Sequence, residues 1–270
     1  MFKGLFSKGG SSTEEGVAPN KGEPPRSRSY TVGWFLQRDK TSIIYDAPKA
    51  IRQETPKNPI AKSVTQCPAV LDFDKRYFVI NSPIDLHMRW EIKNGQRNIV
   101  NMLHDKSPIR PEALQQMIVM QPPQEWRHPE RPVLQMLMSY IFVSDDPVYI
   151  NQYPPFLHYI PDTRPGVQIN GRFPIDIWPR ALMWAFEWHD ISKDLILKRG
   201  EPLFYVGFDG PDPSASVRLI EAKKTPELEA YTDSITGVTE WITQTYSLFK
   251  TARERRPARL LYPKERSSAG

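Results

Sequence analysis

The sequence predicts a mostly β fold, an antiparallel β-sandwich, jelly roll or barrel, with one long C-terminal amphipathic helix packed on or beside it. Three observations carry that expectation. Roughly ten short apolar runs, separated by turn-forming residues, occupy the middle of the chain. One of those runs, 84–93, alternates strictly between apolar and polar residues, as a half-buried strand does, and a second places Leu182, Trp184, Phe186 and Trp188 at every other position. Only after Thr225 does the apolar period change from two to three-four, and no β-α-β alternation appears, which argues against a doubly wound fold.

The bulk properties agree. The chain has 270 residues, 39% hydrophobic and 25% charged, enough apolar material for a sizeable core. Its 27 prolines against 14 glycines point to rigid loops and edge strands rather than a low-complexity chain.

Residues 1–29 are rich in Gly, Ser, Pro, Lys and Glu and predict a disordered tail. Phe2, Leu5 and Phe6 are interrupted by lysine and glycine, so no signal-peptide core forms there. Residues 30–66 read as an extended arm contributing one or two strands, from Val32–Leu36 and Ser42–Tyr45. The β domain is expected over 67–224. Its clearest segment is 84–104, where Ile84, Leu86, Met88, Trp90 and Ile92 alternate with Asp85, His87, Arg89, Glu91 and Lys93. Asn94-Gly95 follows, the dipeptide best suited to a two-residue hairpin turn. Counting back from that turn sets Trp90 opposite Ile99 and Leu86 opposite Leu103.

Pro111–Met120 predicts a short helix with proline in its first turn. Val133–Val143, apolar on both faces, predicts a central strand. Short strands are expected at Val148–Gln152, Phe156–Ile160, Val167–Ile169 and Arg172–Trp178, the last two around a second Asn-Gly at 170–171. A two-residue turn there would put Phe173 on the opposite face from Val167 and Ile169, so either both faces are covered or the loop is longer. Further strands follow at Leu182–Trp188, Asp194–Lys198, Leu203–Phe208 and Val217–Ala222, with a tight turn at Arg199–Pro202.

Over 225–256 the residues Leu228, Tyr231, Ile235, Val238, Ile242 and Phe249 form one helical stripe. Thr225-Pro226-Glu227 starts the helix, and Pro257 ends it before a basic flexible tail, 257–270. The stripe either packs on the β domain or meets a second copy of the chain.

The formal charge of +5 resides in the ends: residues 1–29 carry net +2, residues 250–266 net +5, and the remainder is −2. A structured nucleic-acid face is therefore not expected, only weak contact by the basic tail through Arg253, Arg255, Arg256, Arg259, Lys264 and Arg266. No apolar run approaches the roughly 20 residues that span a bilayer. The single cysteine, Cys67, excludes an internal disulfide and a multi-cysteine metal site and reads as a buried thiol in a reducing, cytoplasmic setting.

Chemistry is sparse. Five histidines occur, and Asp85, His87, His158 and His189 are the candidates for a polar pocket at a barrel mouth. Asp85 and His87 share one strand face. Their order, Asp-Leu-His, reverses the His-x-Asp of facial-triad iron sites, and a solvated strand face explains them better. Asp72 with Asp74, and Asp145 with Asp146, read as turn aspartates. Phosphate-binding glycine loops and the Gly-x-Ser-x-Gly nucleophile elbow are lacking, so no catalytic residue, metal or cofactor is assigned. The aromatics Tyr149, Tyr153, Tyr159 and Trp178 form a candidate binding surface, most simply for a sugar.

Cys67-Pro68 leading into Leu71-Asp72-Phe73 and Tyr77–Ser82, then Leu197-Lys198-Arg199-Gly200-Glu201-Pro202-Leu203-Phe204-Tyr205-Val206, resembles a group of uncharacterised bacterial and phage proteins over residues 65–210. That resemblance brings no activity; it implies a viral accessory or virion protein, found in the cytoplasm of the producing cell or incorporated in a virion. The Gly200-Glu201-Pro202-Leu203 turn is also similar to the closing hairpin of the dUTPase and dCTP-deaminase barrel, whose Ser- and Arg-containing phosphate motif has no counterpart here. Together these readings favour a non-catalytic protein that works through protein partners or itself, with a barrel-mouth enzyme and a carbohydrate-binding module as alternatives.

Overall fold

The computed structural model describes residues 29–37, 43–51, 67–93, 96–107, 109–160, 164–238 and 245–265. The chain is mostly β. Its elements run β1 (Ser29–Leu36), β2 (Lys49–Ala50), α1 (Pro68–Leu71), β3 (Tyr77–Asn81), β4 (Leu86–Lys93), β5 (Gln96–Asn101), α2 (Pro111–Met117), β6 (Ile118–Met120), β7 (Val133–Val143) and β8 (Tyr149–Tyr153). They continue with β9 (Gly166–Ile169), β10 (Arg172–Pro174), β11 (Ala181–Trp188), β12 (Leu195–Leu197), β13 (Pro202–Asp209), β14 (Ser216–Glu221), α3 (Pro226–Val238) and α4 (Thr245–Arg255).

Three sheets share the work. The first has the order β14-β1-β7-β11-β9, with β6 also paired to β7; the second is β10-β8-β13-β3-β2, and the third is β12-β4-β5. Side chains from all three meet in one core. Phe142 and Trp184 enter from the first sheet, Phe78 and Phe208 from the second, Leu86 and Trp90 from the third. The Phe142 and Phe208 rings lie 5.5 Å apart, centroid to centroid. The strict alternation at Leu182, Trp184, Phe186 and Trp188 is the reason β11 sends four nearly inaccessible side chains into that core.

Several expectations change at this level. β1 is no arm: it lies inside the first sheet, antiparallel to β7 and parallel to β14, with Tyr30 beside Val217. The sheet is therefore not wholly antiparallel. Of the proposed arm, 38–42 and 52–66 lie outside the described residues, as do the N-terminal residues 1–28. The first hairpin has the expected register, Trp90 with Ile99. Its ladder stops at Met88 with Asn101, however, and Leu86 pairs instead with Leu197 of β12. The second Asn-Gly is not a hairpin. β9 pairs with β11 in the first sheet and β10 with β8 in the second, so Asn170-Gly171 carries the chain between sheets. That removes the register conflict at Phe173, because the flanking strands never pair. Phe156–Ile160 forms a turn and coil rather than a strand. Cys67 is exposed, at the start of α1, and not buried.

The single long helix is likewise corrected. α3 and α4 fold against each other, and the Tyr231 hydroxyl lies 2.9 Å from the Ala252 carbonyl. In one continuous helix those residues would be about 30 Å apart along the axis. Residues 239–244 between them lie outside the described residues. Leu228, Tyr231, Ile235, Leu248 and Ala252 are buried against Phe35, Ile141, Val143 and Ala222, on the face of the first sheet turned away from the main core. The segment 257–265 is no free tail either. Leu260 is fully buried, its N–H donates to Asp145 Oδ1 at 2.7 Å, and Pro263 bridges to Ala222.

Candidate functional site

The four candidate polar residues do not converge. Asp85 Oδ1 accepts the backbone N–H of Arg199 at 2.9 Å, pinning the turn at Gly200 (φ 82°). His87 donates through Nε2 to Asp194 Oδ2 at 2.6 Å on the polar face of the third sheet. Arg89, two residues along the same face, grips both oxygens of Asp194 at 2.9 and 2.8 Å. Those hydrogen bonds, joined by His87 and opposed by burial, hold the Asp194 carboxyl down to about 2.

His189 belongs to a different cluster. Glu187 is a buried carboxylate on β11 with 2% exposure; Arg127 Nε donates to its Oε2 at 2.5 Å and His189 Nε2 lies 2.8 Å from its Oε1. Arg131 stands further off at 3.8 Å. Burial pushes this carboxyl up, but Arg127 and His189 outweigh it and keep it below the usual glutamate range. His158, the fourth, hydrogen bonds through Nδ1 with the Tyr205 hydroxyl, and burial lowers its affinity for a proton. Among the described residues no group of three or more His, Cys, Asp or Glu side chains could hold a metal ion.

The aromatic candidates are similarly dispersed. Tyr149 stacks under the Arg172 guanidinium, 3.9 Å from its ring centre. Tyr153 packs on Tyr77, and Tyr159 is 88% exposed. Trp178 lies among Phe173, Phe249 and Arg180 at the helix side of the first sheet. They do not form one platform.

A site nevertheless exists, and it includes only His158 of the expected residues. A cleft of about 360 Å³ opens at β9, the edge strand of the first sheet. Gln168, Trp184 and Phe186 from β9 and β11 line it, together with Arg164 and the Pro154–Ile160 turn. Gly166 makes the wall: a Cβ there would lie 2.0 Å from the Glu187 carbonyl oxygen, so only glycine lets β9 close on β11. Arg164 spans the gap between sheets, its two terminal nitrogens donating to Leu203 O at 2.7 Å and Pro202 O at 2.8 Å. Its guanidinium also sits over the Trp184 ring, 5.6 Å from the centroid.

The polar atoms here are unusual in what they lack. Among the described residues, five buried side-chain nitrogen and oxygen atoms have no hydrogen-bond partner, and four of them are Arg164 Nε, Gln168 Nε2, Gln168 Oε1 and Trp184 Nε1. Such atoms are rare in folded proteins, and each costs about 1–3 kcal/mol unless something pairs with it. Arg164 moreover makes no ion pair among the described residues. Burial draws its basicity down to about 10, with Glu201 opposing from a distance. Nothing in the sequence signals Arg164 or Gln168, and Trp184 and Phe186 fall in the expected strand Leu182–Trp188, with most of their surface in the core.

A second cleft, about 690 Å³, separates the β4–β5 hairpin from α2 and has Met88, Ile99, Leu114 and Ile118 on its floor. His104 on its rim has φ 45°, a left-handed conformation that histidine adopts more readily than most residues. None of the unpartnered buried atoms lines this cleft. Comparison with protein-family models, with curated proteins and with solved structures finds no match to this chain.

Proposed function

We propose that this is a non-catalytic binding protein whose small-molecule site is the cleft at Arg164, Gln168 and Trp184. The observation that carries the reading is the gathering of four unpartnered buried polar atoms in three residues that line one cleft. A pocket with apolar walls and a few convergent polar groups is the usual form of a small-ligand site. The barrel-mouth enzyme is less well supported, because Asp85, His87, His158 and His189 are each engaged with a different partner, Arg199, Asp194, Tyr205 and Glu187, and supply no shared acid, base or nucleophile. Assembly through the C-terminal helix is also less well supported. Of its stripe, Leu228, Tyr231 and Ile235 pack on the chain's own sheet and Phe249 packs on Trp178. The setting, a phage accessory or virion role in the producing cell, follows from the resemblance at residues 65–210 alone.

The test is a small-fragment panel titrated against the ¹⁵N-labelled full chain. The Trp184 indole N–H is identified by its disappearance in Trp184→Phe. Binding in the cleft moves that resonance together with the backbone signals of Gly166, Val167 and Gln168. A panel that leaves all of them still overturns the reading.

A further inference from the structure

The cleft's donor balance says more about its occupant, given that the binding reading above holds. We propose that the ligand is an anion, a carboxylate carried on an apolar body. Trp184 Nε1 and Arg164 Nε can only donate, whereas Gln168 brings one donor and one acceptor. The open valences are therefore three donors to one acceptor. Among the described residues that line the cleft there is no aspartate or glutamate. His158 does not redress the balance: the Tyr205 oxygen already accepts the Leu157 N–H, so its hydroxyl donates to His158 Nδ1 and leaves the ring's Nε2 as a further donor.

Charge points the same way. Arg164 is a mostly buried guanidinium whose partners are two neutral carbonyls, Leu203 O and Pro202 O. A buried cation whose direct partners among the described residues are all neutral, with Glu201 acting only from a distance, is costly, and a planar carboxylate is the group whose geometry best matches a guanidinium edge. The remaining wall is apolar: Pro154, Pro155, Phe156, Val167 and Phe186. A neutral sugar fits poorly, because its hydroxyls would meet donors without the carboxylates that usually receive them. The faces of Trp184 are also occupied, by Phe186 at 5.1 Å between centroids and by Arg164 on the ring, so the indole offers its edge and not a stacking platform.

The experiment compares 3-phenylpropionate with 3-phenylpropanamide, two probes of one shape that differ in charge. Each is titrated into the ¹⁵N-labelled full chain at pH 7 while the Trp184 indole N–H is followed. The acid is expected to bind at least about 10-fold more tightly than the amide, the discrimination that one charge-assisted hydrogen bond supplies. Arg164→Met should reduce that ratio to within about 2-fold, while Arg164→Lys, which keeps the charge, should preserve most of it. Since Arg164 also ties the sheets together, the acid-to-amide ratio in the unaltered chain decides if Arg164→Met fails to fold. Equal binding of acid and amide overturns the anion inference and leaves the cleft reading standing. Silence to both probes, with a response to other fragments of the panel, does the same; silence to the whole panel removes both.

Discussion

Two kinds of polar cluster occur in this protein, and they differ in completeness. Around Glu187 and around Asp194 a carboxylate is met by an arginine and a histidine, with distances of 2.5–2.9 Å. In the lining of the β9 cleft stand an arginine, an amide and an indole, and four of their atoms meet nothing. The first kind has the residue types that suggest chemistry, yet every member is occupied in holding a strand end or a turn. The second has unremarkable residue types and open valences. Function is better sought where partners are missing than where reactive residues are plentiful.

That contrast can be broken by substitution, because the two kinds should respond with opposite signs. The largest effect is expected at Glu187. Glu187→Ala removes a buried acceptor that serves Arg127 and His189, and should lower unfolding free energy by about 2–3 kcal/mol in denaturant melts. An unchanged or raised stability would show that the cluster is not structural. Next comes the cleft. Gln168→Met keeps the side-chain length and removes two unpaired polar atoms, so the ligand-free chain should gain about 1 kcal/mol. A loss of that size would mean that the Gln168 amide is satisfied within the protein itself.

The smallest effect is expected at Asp194, nearer the surface. Asp194→Asn should cost about 0.5–1 kcal/mol at neutral pH. Its signature lies in acid. The folded carboxyl titrates at about 2, below its unfolded value of roughly 4, so its contribution is complete above about pH 4. That contribution is lost as pH falls from there toward 2. Thermal melts should therefore show the unaltered chain losing stability through that window more steeply than Asp194→Asn, and parallel acid limbs would contradict the assignment.

What the sequence made legible was local. The first hairpin could be registered because alternation and Asn94-Gly95 agreed over one contiguous stretch. Its inner end could not, since Leu86 takes its partner from Leu197, far along the chain. At Asn170-Gly171 the conflict over Phe173 was visible, but a turn dipeptide does not reveal whether its flanks pair or part. The helical stripe was readable through Ile235; Thr236-Gly237 offered a weak hint of interruption, glycine being a poor interior residue. Most of the cleft had no local signal. Trp184 and Phe186 alternate as core residues should, and core is most of what they are. An unpartnered Arg164 or Gln168 is defined by what fails to reach it, and that depends on where β8, β9, β11 and β13 come to lie.

The parallel pairing of β1 with β14 has a consequence for how the chain is made. Tyr30 leaves the ribosome 187 residues ahead of its neighbour Val217. At roughly 5–20 residues per second, that interval is on the order of ten seconds or more. Through that time β1 can be held only by β7, itself delayed until residue 143, so one edge of β1 stays open throughout the interval. Closure of this sheet is a long-range event, and slow folding with exposure to aggregation until β14 arrives is the expected cost of the topology.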